Sequence, residues 1–221
     1  MEPNRFIEHT NLKPDLTDKQ IDQLVREAAE SEFIGVCVPP FWVKRAAREI
    51  AGKNILLITV IGFPLGYQMT ESKITEIEIA IKDGADELDV VMNISAFKTG
   101  MPWTKVELAK CSKLIHEAGK IMKVIIETAY LSDQEIIKAC GIGSDSGADF
   151  LKTSTGFAME GAKPDHIKLM RSVLPANVGI KASGGISTWS KAKEMIDSGA
   201  DRIGASAGIK IMREFKANET S

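Results

Sequence analysis

Cysteine and histidine are scarce in this chain of 221 residues, with three of each. The cysteines (Cys37, Cys111 and Cys140) show no Cys-x-x-Cys spacing, and the histidines show no His-x-His or His-Glu-x-x-His spacing. An odd number of scattered cysteines fits a reducing compartment and buried thiols that act as small apolar residues. The same spacing argues against a zinc-dependent hydrolase. The sequence therefore predicts chemistry that needs no metal and no cofactor.

Long apolar runs and an excess of one charge are also missing. The longest apolar stretch, residues 55–62, is far shorter than the roughly 20 residues of a membrane helix, and residues 1–5 do not resemble a secretory signal. Lysine and arginine number 28 against 30 acidic residues, so the net charge is −2 and no basic patch is available to nucleic acid. We expect a cytoplasmic protein that binds neither membranes nor nucleic acid.

Eight short β-rich runs alternate with amphipathic stretches long enough for a helix. This alternation is typical of βα units with a parallel sheet. We predict an α/β fold, a single (βα)8 TIM barrel over residues 1–221, with residues 214–221 as a flexible tail. An open doubly wound sheet is less favoured because no Gly-x-Gly-x-x-Gly loop follows the first strands. The predicted strands are residues 6–12, 34–38, 55–62, 87–93, 121–127, 150–155, 178–183 and 202–206.

Two internal repeats mark the ends of the strands. The first, x-Gly-Ala-Asp, precedes three of the strands, at residues 83–86, 146–149 and 198–201. Glycine there suits the left-handed turn that ends a helix. The second, x-x-Ser-x-Gly, closes three successive strands, at residues 152–156, 181–185 and 204–208. In a parallel barrel these C-terminal strand ends form the active face.

Four ionisable residues lie within strands that should be apolar on both sides: Asp89, Lys123, Lys152 and Lys181. Burying an unpaired charge is costly, so each of them must pair or serve the chemistry. Side-chain alternation places Asn93 on the face of Asp89, and Glu127 on the face of Lys123. We expect all four to point into the barrel mouth, with Lys123 and Asn93 in supporting positions. The alternative is a closed ion-pair network in which Asp89 and Glu127 balance the lysines.

The second repeat places Lys152 and Lys181 at the same height on neighbouring strands, which are about 4.8 Å apart. Two ammonium groups about 5 Å apart repel by roughly 3 kcal/mol at an effective dielectric near 20. One lysine is then an uncharged amine near neutral pH, which is a nucleophile toward carbonyl carbon. The pair therefore indicates Schiff-base catalysis, and Asp89 is placed to move protons.

An anion site is predicted at the last strand ends, formed by Gly184, Gly185, Ser206 and Gly208. Glycines let backbone N–H groups approach phosphate oxygens, and a helix that starts after such a loop adds its N-terminal dipole. Glycine loops are also ordinary tight turns, so the barrel context is what favours phosphate binding here.

Along nearly the whole chain the residues resemble the deoxyribose-phosphate aldolase family. The resemblance includes Glu8-His9-Thr10, Val36-Cys37-Val38, the Ile-Gly-Phe-Pro-Leu-Gly segment at 61–66, the Glu-Leu-Asp-Val-Val-Met-Asn segment at 87–93 and the Lys-Val-Ile-Ile-Glu-Thr segment at 123–128. Its most specific motifs are Lys152-Thr-Ser-Thr-Gly156, Lys181-Ala-Ser-Gly-Gly185 and Arg202-Ile-Gly-Ala-Ser206.

The resemblance implies a class I aldolase, a metal-independent lyase that reversibly cleaves 2-deoxy-D-ribose 5-phosphate to acetaldehyde and D-glyceraldehyde 3-phosphate. It implies that Lys152 forms the Schiff base, that Lys181 lowers the pKa of Lys152 and that Asp89 relays protons. It also implies a homodimer or a higher homo-oligomer. The positions that match the family's phosphate site, or line the same pocket, are Thr155, Gly156, Gly184, Gly185 and Ser206.

The chain departs from the family pattern at three places. Residues 158–163 replace a glycine-rich segment, Ala207 stands where some relatives have a second serine, and the tail from Lys216 lacks a tyrosine. Two alternatives stay open: a related Schiff-base aldolase or decarboxylase for another aldehyde adduct, and a phosphosugar-binding regulatory barrel without turnover. Two lysines with Asp89 exceed what anion binding requires, which favours an enzyme.

Overall fold

The computed structural model describes residues 2–219. Eight parallel strands close into one barrel in sequential order, with β1 paired to β8. This confirms the predicted (βα)8 TIM barrel, and the closure rules out an open doubly wound sheet. The strands are β1 (Ile7–Thr10), β2 (Gly35–Val38), β3 (Leu56–Ile61), β4 (Glu87–Val91), β5 (Ile121–Ile125), β6 (Phe150–Lys152), β7 (Gly179–Ser183) and β8 (Arg202–Ala205).

Helices surround the barrel and connect successive strands. The first begins at a capping box, in which the Thr17 backbone N–H donates to Gln20 Oε1 at 2.9 Å. Within residues 2–219, no helix combines the length and the apolar character that crossing a membrane requires. The helices are α1 (Asp18–Glu30), α2 (Val43–Ile50), α3 (Thr70–Asp83), α4 (Ile94–Lys98), α5 (Trp103–Glu117), α6 (Asp133–Asp145), α7 (Pro164–Val173), α8 (Trp189–Asp197) and α9 (Gly208–Glu219).

The x-Gly-Ala-Asp repeat builds the same junction three times. Its glycines have φ angles of +108°, +88° and +108° at Gly84, Gly147 and Gly199, which is the left-handed turn expected there. Each aspartate accepts a backbone N–H from the preceding strand, and so ties two strands together at their first residues. The pairs are Asp86 with Leu57 (3.0 Å), Asp149 with Met122 (2.8 Å) and Asp201 with Ile180 (2.8 Å).

Every predicted strand is present, but most end earlier than the β-rich runs suggest. Strand β6 ends at Lys152, and Glu127 after β5 adopts a left-handed φ of +50°. Residues at the ends of these runs therefore leave the sheet and form loops at the mouth. The polar residues that follow the strands can face a ligand for this reason.

The expected flexible tail overlaps the last helix. Helix α9 continues to Glu219, and residues 220 and 221 lie outside the described residues. The Glu214 carboxylate accepts the Trp189 backbone N–H at 2.8 Å, and the rings of Trp189 and Phe215 lie 5.1 Å apart, edge to face. These contacts hold residues 214 and 215 against the start of α8, and the described part of the expected tail, residues 214–219, is helical.

Candidate active site

The interior of the barrel contains a cluster of buried charged side chains. All four ionisable residues expected at the mouth belong to it. Asp89 on β4 is level with Lys123 on β5, and Lys152 on β6 is level with Lys181 on β7. The strand register therefore places Lys152 beside Lys181, as predicted. Each of the four side chains is at most 3% exposed.

Asp89 joins the three lysines. Its Oδ2 accepts from Lys152 Nζ at 2.8 Å and from Lys181 Nζ at 2.7 Å, and its Oδ1 accepts from Lys123 Nζ at 3.1 Å. Burial alone would raise the pKa of Asp89, but the neighbouring lysines outweigh burial and hold this pKa well below its usual range. Asp89 is therefore an ionised carboxylate near neutral pH.

Two further carboxylates, Glu8 on β1 and Glu87 on β4, complete the cluster. Glu8 forms an ion pair with Lys181 and lies 3.4 Å from Lys123, which also pairs with Glu87. Lys152 pairs with Asp89 alone. Among residues 2–219 the lysines therefore differ in surroundings: besides Asp89, Lys123 has two carboxylates, Lys181 has one and Lys152 has none.

The pKa values of the lysines diverge accordingly. Burial lowers the pKa of Lys152, Asp89 opposes it, and repulsion from Lys181 acts in the same direction as burial. Burial also acts to lower the pKa of Lys181, but Asp89 and Glu8 outweigh it, so that this pKa is raised. We expected the neighbouring ammonium to be the main cause for Lys152, whereas burial contributes more. Lys152 is thus the amine that most easily loses its proton.

A cavity of about 320 Å³ opens above this cluster at the C-terminal ends of the strands. Lys152 lines it, whereas Lys181, Lys123 and Asp89 lie beneath it. Five of the residues expected at the phosphate and substrate site also line this cavity: Thr155, Gly156, Gly184, Gly185 and Ser206. Gly208, also expected there, does not line it and is the first residue of α9. One cavity therefore contains a buried amine at its floor and glycine-rich loops at its wall.

The glycine at 184 is required by a close approach of two loops. Gly184 has φ of +90°, and a Cβ added to Gly161 would lie 2.1 Å from the Gly184 carbonyl oxygen. The Ala162 backbone N–H donates to the Ser183 and Gly184 carbonyls at 3.1 Å. The segment 158–163, where the chain departs from the family pattern, thus packs directly on the loop of Gly184, at which the anion site is predicted. Neither glycine can carry a side chain without moving this contact.

Glu127 does not take the position that the alternative of a closed ion-pair network gave it. It does not balance the lysines; instead its Oε2 accepts from the Thr155 backbone N–H at 3.1 Å and from the Thr155 hydroxyl. Thr155 Oγ1 in turn accepts the Phe157 N–H at 3.1 Å, and the Phe157 ring packs edge to face on Phe63 at 5.2 Å. The left-handed φ of Glu127 turns its side chain out of the strand alternation on which the expectation rested.

Asn93 also lies apart from the cluster. Its side-chain oxygen accepts the Ala96 backbone N–H at 3.1 Å and caps helix α4, and Asn93 does not line the cavity. Sequence reasoning missed the carboxylates that do balance the lysines. Glu8 could have been found by the same criterion as the other four, because it is an ionisable residue within a predicted strand, and Glu87 shares the strand face of Asp89 by alternation.

Comparison with known proteins agrees with this geometry. A model of the DeoC/LacD family of aldolases matches residues 5–214. The chain belongs to this family. A deoxyribose-phosphate aldolase from Clostridium tetani (strain Massachusetts / E88) is 47% identical over 220 residues, which cover 98% of this chain and 100% of that protein.

Solved structures of other aldolases superpose closely on this DeoC/LacD family chain. The aldolase QR15 gives a TM-score of 0.94 at 40% identity and covers 100% of this chain and 98% of its own. The deoxyribose phosphate aldolase from Aeropyrum pernix, described as a tetramer of unique structure, gives a TM-score of 0.91 at 32% identity, over 98% of this chain and 92% of that one.

The three cysteines of this family member are buried and unpaired, as expected. Cys37 on β2 lies nearest the charged cluster, and burial raises the pKa of its thiol to about 11. Burial likewise raises the pKa of the Cys111 and Cys140 thiols to about 12. All three are therefore protonated thiols near neutral pH.

Proposed function

We propose that this chain is a class I aldolase, a lyase that reversibly cleaves 2-deoxy-D-ribose 5-phosphate to acetaldehyde and D-glyceraldehyde 3-phosphate. The observation that supports it best is the buried Lys152 amine of lowered pKa at the floor of a glycine-lined cavity. Membership of the DeoC/LacD family and the names of the relatives support the same substrate.

Imine formation is the first step. The uncharged Lys152 Nζ attacks C1 of the open-chain sugar, and the carbonyl oxygen takes a proton to give a carbinolamine. Loss of water then leaves a protonated imine. Asp89 accepts from both Lys152 and Lys181, so it provides a route for protons between the two nitrogens. We assign the proton relay to Asp89 and Lys181 on this geometry.

Cleavage of the C2–C3 bond follows. A base removes the proton of the C3 hydroxyl, C3 becomes the aldehyde of glyceraldehyde 3-phosphate, and the electron pair of the broken bond moves through C2 to the imine. The resulting enamine takes a proton at C2, and water then releases acetaldehyde and the free Lys152 amine. The protonated imine acts as the electron sink, so each step uses groups of the protein and water.

We propose that the phosphate group binds at the glycine loops of the cavity. Gly184 and Gly185 have left-handed φ angles of +90° and +74° and no side chain, so a phosphate oxygen can approach their backbone N–H groups closely. Ser206 contributes a hydroxyl, and Ala207 beside it contributes none. We expect phosphate to be held mainly by backbone donors and helix N-termini.

Borohydride trapping tests this proposal. Reduction in the presence of 2-deoxyribose 5-phosphate should fix a secondary amine on Lys152, found by mass spectrometry of peptides, and the Lys152→Met variant should give none. A chelator should leave activity unchanged. An adduct on Lys123 or Lys181 would remove the assignment. A ligand that raises the melting temperature with no aldehyde release would favour a regulatory phosphosugar-binding barrel.

We also propose that the chain assembles as a homodimer or a higher homo-oligomer. The support is the Aeropyrum pernix relative, which is described as a tetramer. Light scattering coupled to size-exclusion chromatography would measure the mass in solution. A mass of one chain over a wide concentration range would contradict the proposal.

A further inference from the structure

The cavity lining carries positive charge and no negative charge. Of the residues that line it, the ionisable ones are Lys13 and Lys152, and none is a carboxylate. Lys152 lies at the floor and pairs with Asp89, so in the proposed mechanism it meets the carbonyl end of the sugar. A phosphate dianion at the other end of the substrate therefore has one lining side chain of opposite charge, Lys13.

We propose that Lys13 is the residue that binds the phosphate group of the substrate through its side-chain charge and sets the preference for phosphorylated sugars. This inference rests on the proposed function, because it assigns the recognition of the same substrate. Gly184, Gly185 and Ser206 supply the backbone and hydroxyl donors. Lys13 follows β1, which pairs with β8, so its loop lies next to the loop of Ser206 and lines the same cavity.

The backbone of Lys13 is held in place while its side chain is free. The Lys13 N–H donates to Asn11 Oδ1 at 3.3 Å, and the Lys13 carbonyl accepts from the Leu16 N–H at 3.3 Å. Asn11 is itself tied to the Cys37 carbonyl at 3.1 Å, and the Leu16 side chain is buried. Among residues 2–219, Lys13 Nζ forms neither an ion pair nor a hydrogen bond. A fixed loop thus presents an unpaired ammonium group to the cavity.

Other lysines near the glycine loops already have partners. Lys191 Nζ donates to the Gly185 carbonyl at 3.4 Å, and Lys163 pairs with Glu160 at 2.6 Å. Lys210 in the first turns of α9 lies 3.7 Å from a Glu214 oxygen. The loop residues closest to the glycines are uncharged, since Phe157 follows Gly156 and Ile186 and Ser187 follow Gly185. Among the residues that line the cavity, Lys13 is therefore the cation available to bind a phosphate group.

Binding of inorganic phosphate measures this role without turnover. Isothermal titration calorimetry should show that Lys13→Gln weakens the phosphate Kd by about tenfold, equivalent to about 1.4 kcal/mol, whereas Lys13→Arg keeps it within about twofold. The matched control is Lys19→Gln, which removes the same charge from an exposed position of α1 outside the cavity and should bind like the wild type. An unchanged Kd in Lys13→Gln overturns the proposal.

Steady-state cleavage of two sugars separates phosphate recognition from general damage. With 2-deoxyribose 5-phosphate, Lys13→Gln should raise KM about tenfold and leave kcat within about twofold. With unphosphorylated 2-deoxyribose, the variant and the wild type should have the same kcat/KM. Equal losses with both sugars would overturn the assignment to phosphate. If the wild type cleaves neither sugar, the proposed function fails, and the phosphate titration still decides the role of Lys13.

Discussion

Lys152 and Lys181 donate to the same oxygen, Oδ2 of Asp89, at 2.8 and 2.7 Å. Sharing one acceptor brings two amines together, but only Lys181 has a second carboxylate, Glu8. The second carboxylate, and not the shared oxygen, separates the two lysines: the pKa of Lys181 is raised, whereas burial and Lys181 lower the pKa of Lys152. Lys181 stays an ammonium ion and a proton donor, and Lys152 is the amine that can attack.

Replacing Lys181 by leucine should make Lys152 easier to protonate. The change removes a cation that lowers the pKa of Lys152 and leaves Asp89, which raises it. This pKa therefore rises, the acid limb of the kcat/KM profile moves to higher pH, and kcat/KM at neutral pH falls by a factor of about 10² to 10⁴. The measurement is a pH–rate profile from pH 5 to 10.

The control for this change is Lys193→Leu, an exposed lysine of α8 that pairs with Asp197. It should keep the wild-type profile. Lys181→Leu with lower activity but an unmoved acid limb would show that Lys181 acts in proton transfer alone and does not influence the protonation of Lys152.

Glu8→Gln should destabilise the fold in a pH-dependent way. Burial opposes ionisation of Glu8, but Lys123 and Lys181 outweigh it and lower its pKa in the folded state. Its ionisation therefore contributes stability that is complete above the unfolded value of about 4.3 and is lost as pH falls through the folded pKa. At pH 7 the variant should lose about 3–5 kcal/mol of unfolding free energy, because buried lysines lose a partner.

Urea unfolding at pH 7 and at about pH 3.5 measures this effect. The gap between Glu8→Gln and the wild type should be smaller at the lower pH, while an exposed counterpart, Glu194→Gln, should change stability little at either. A gap of the same size at both pH values would indicate lost packing and would contradict the electrostatic explanation.

Glu127 should act as a positioning residue for the loop after Lys152. Glu127→Ala removes the acceptor of two hydrogen bonds from Thr155, and with it the support of a loop that lines the cavity. We expect kcat/KM to fall by about 10- to 100-fold, which corresponds to hydrogen bonds with a charged group. Glu127→Gln, which keeps an acceptor oxygen, should lose less.

Comparison of KM with kcat in these variants tests positioning against simple destabilisation. Glu78→Ala on the exposed face of α3 is the control and should have wild-type kinetics. If Glu127→Ala melts at a lower temperature but keeps the wild-type kcat and KM at 25 °C, Glu127 contributes to stability only.

A second buried ion pair, Lys73 with Glu107 at 2.6 Å, links α3 to α5 away from the cavity. Glu107→Leu should cost about 3–5 kcal/mol of stability, because it leaves Lys73 buried without its carboxylate. The double variant Lys73→Met with Glu107→Leu should recover at least half of this loss. Asp145→Asn, which breaks an exposed pair with Lys105, should cost less than about 1 kcal/mol. Urea unfolding measures all three, and a double variant no more stable than Glu107→Leu contradicts the electrostatic account.

Local sequence patterns predicted much of this structure. The alternation of β-rich runs with helical stretches, together with the repeated x-Gly-Ala-Asp junctions, predicted eight parallel strands in a barrel. Lys152 and Lys181 stood out because charged residues rarely occupy buried strands, and their repeats predicted that they would be level. These inferences need only residues close together in the chain, which is why the sequence alone determined them.

The tertiary structure decided which carboxylate balances which lysine. Glu8 meets Lys181 across 173 positions of sequence, because barrel closure places β1 beside β8, and no local pattern encodes that contact. Alternation placed Glu127 on the face of Lys123, but its backbone leaves the extended conformation, after which alternation no longer predicts where a side chain points. The protonation of Lys152 follows from burial and from these distant partners, so it is a property of the folded chain.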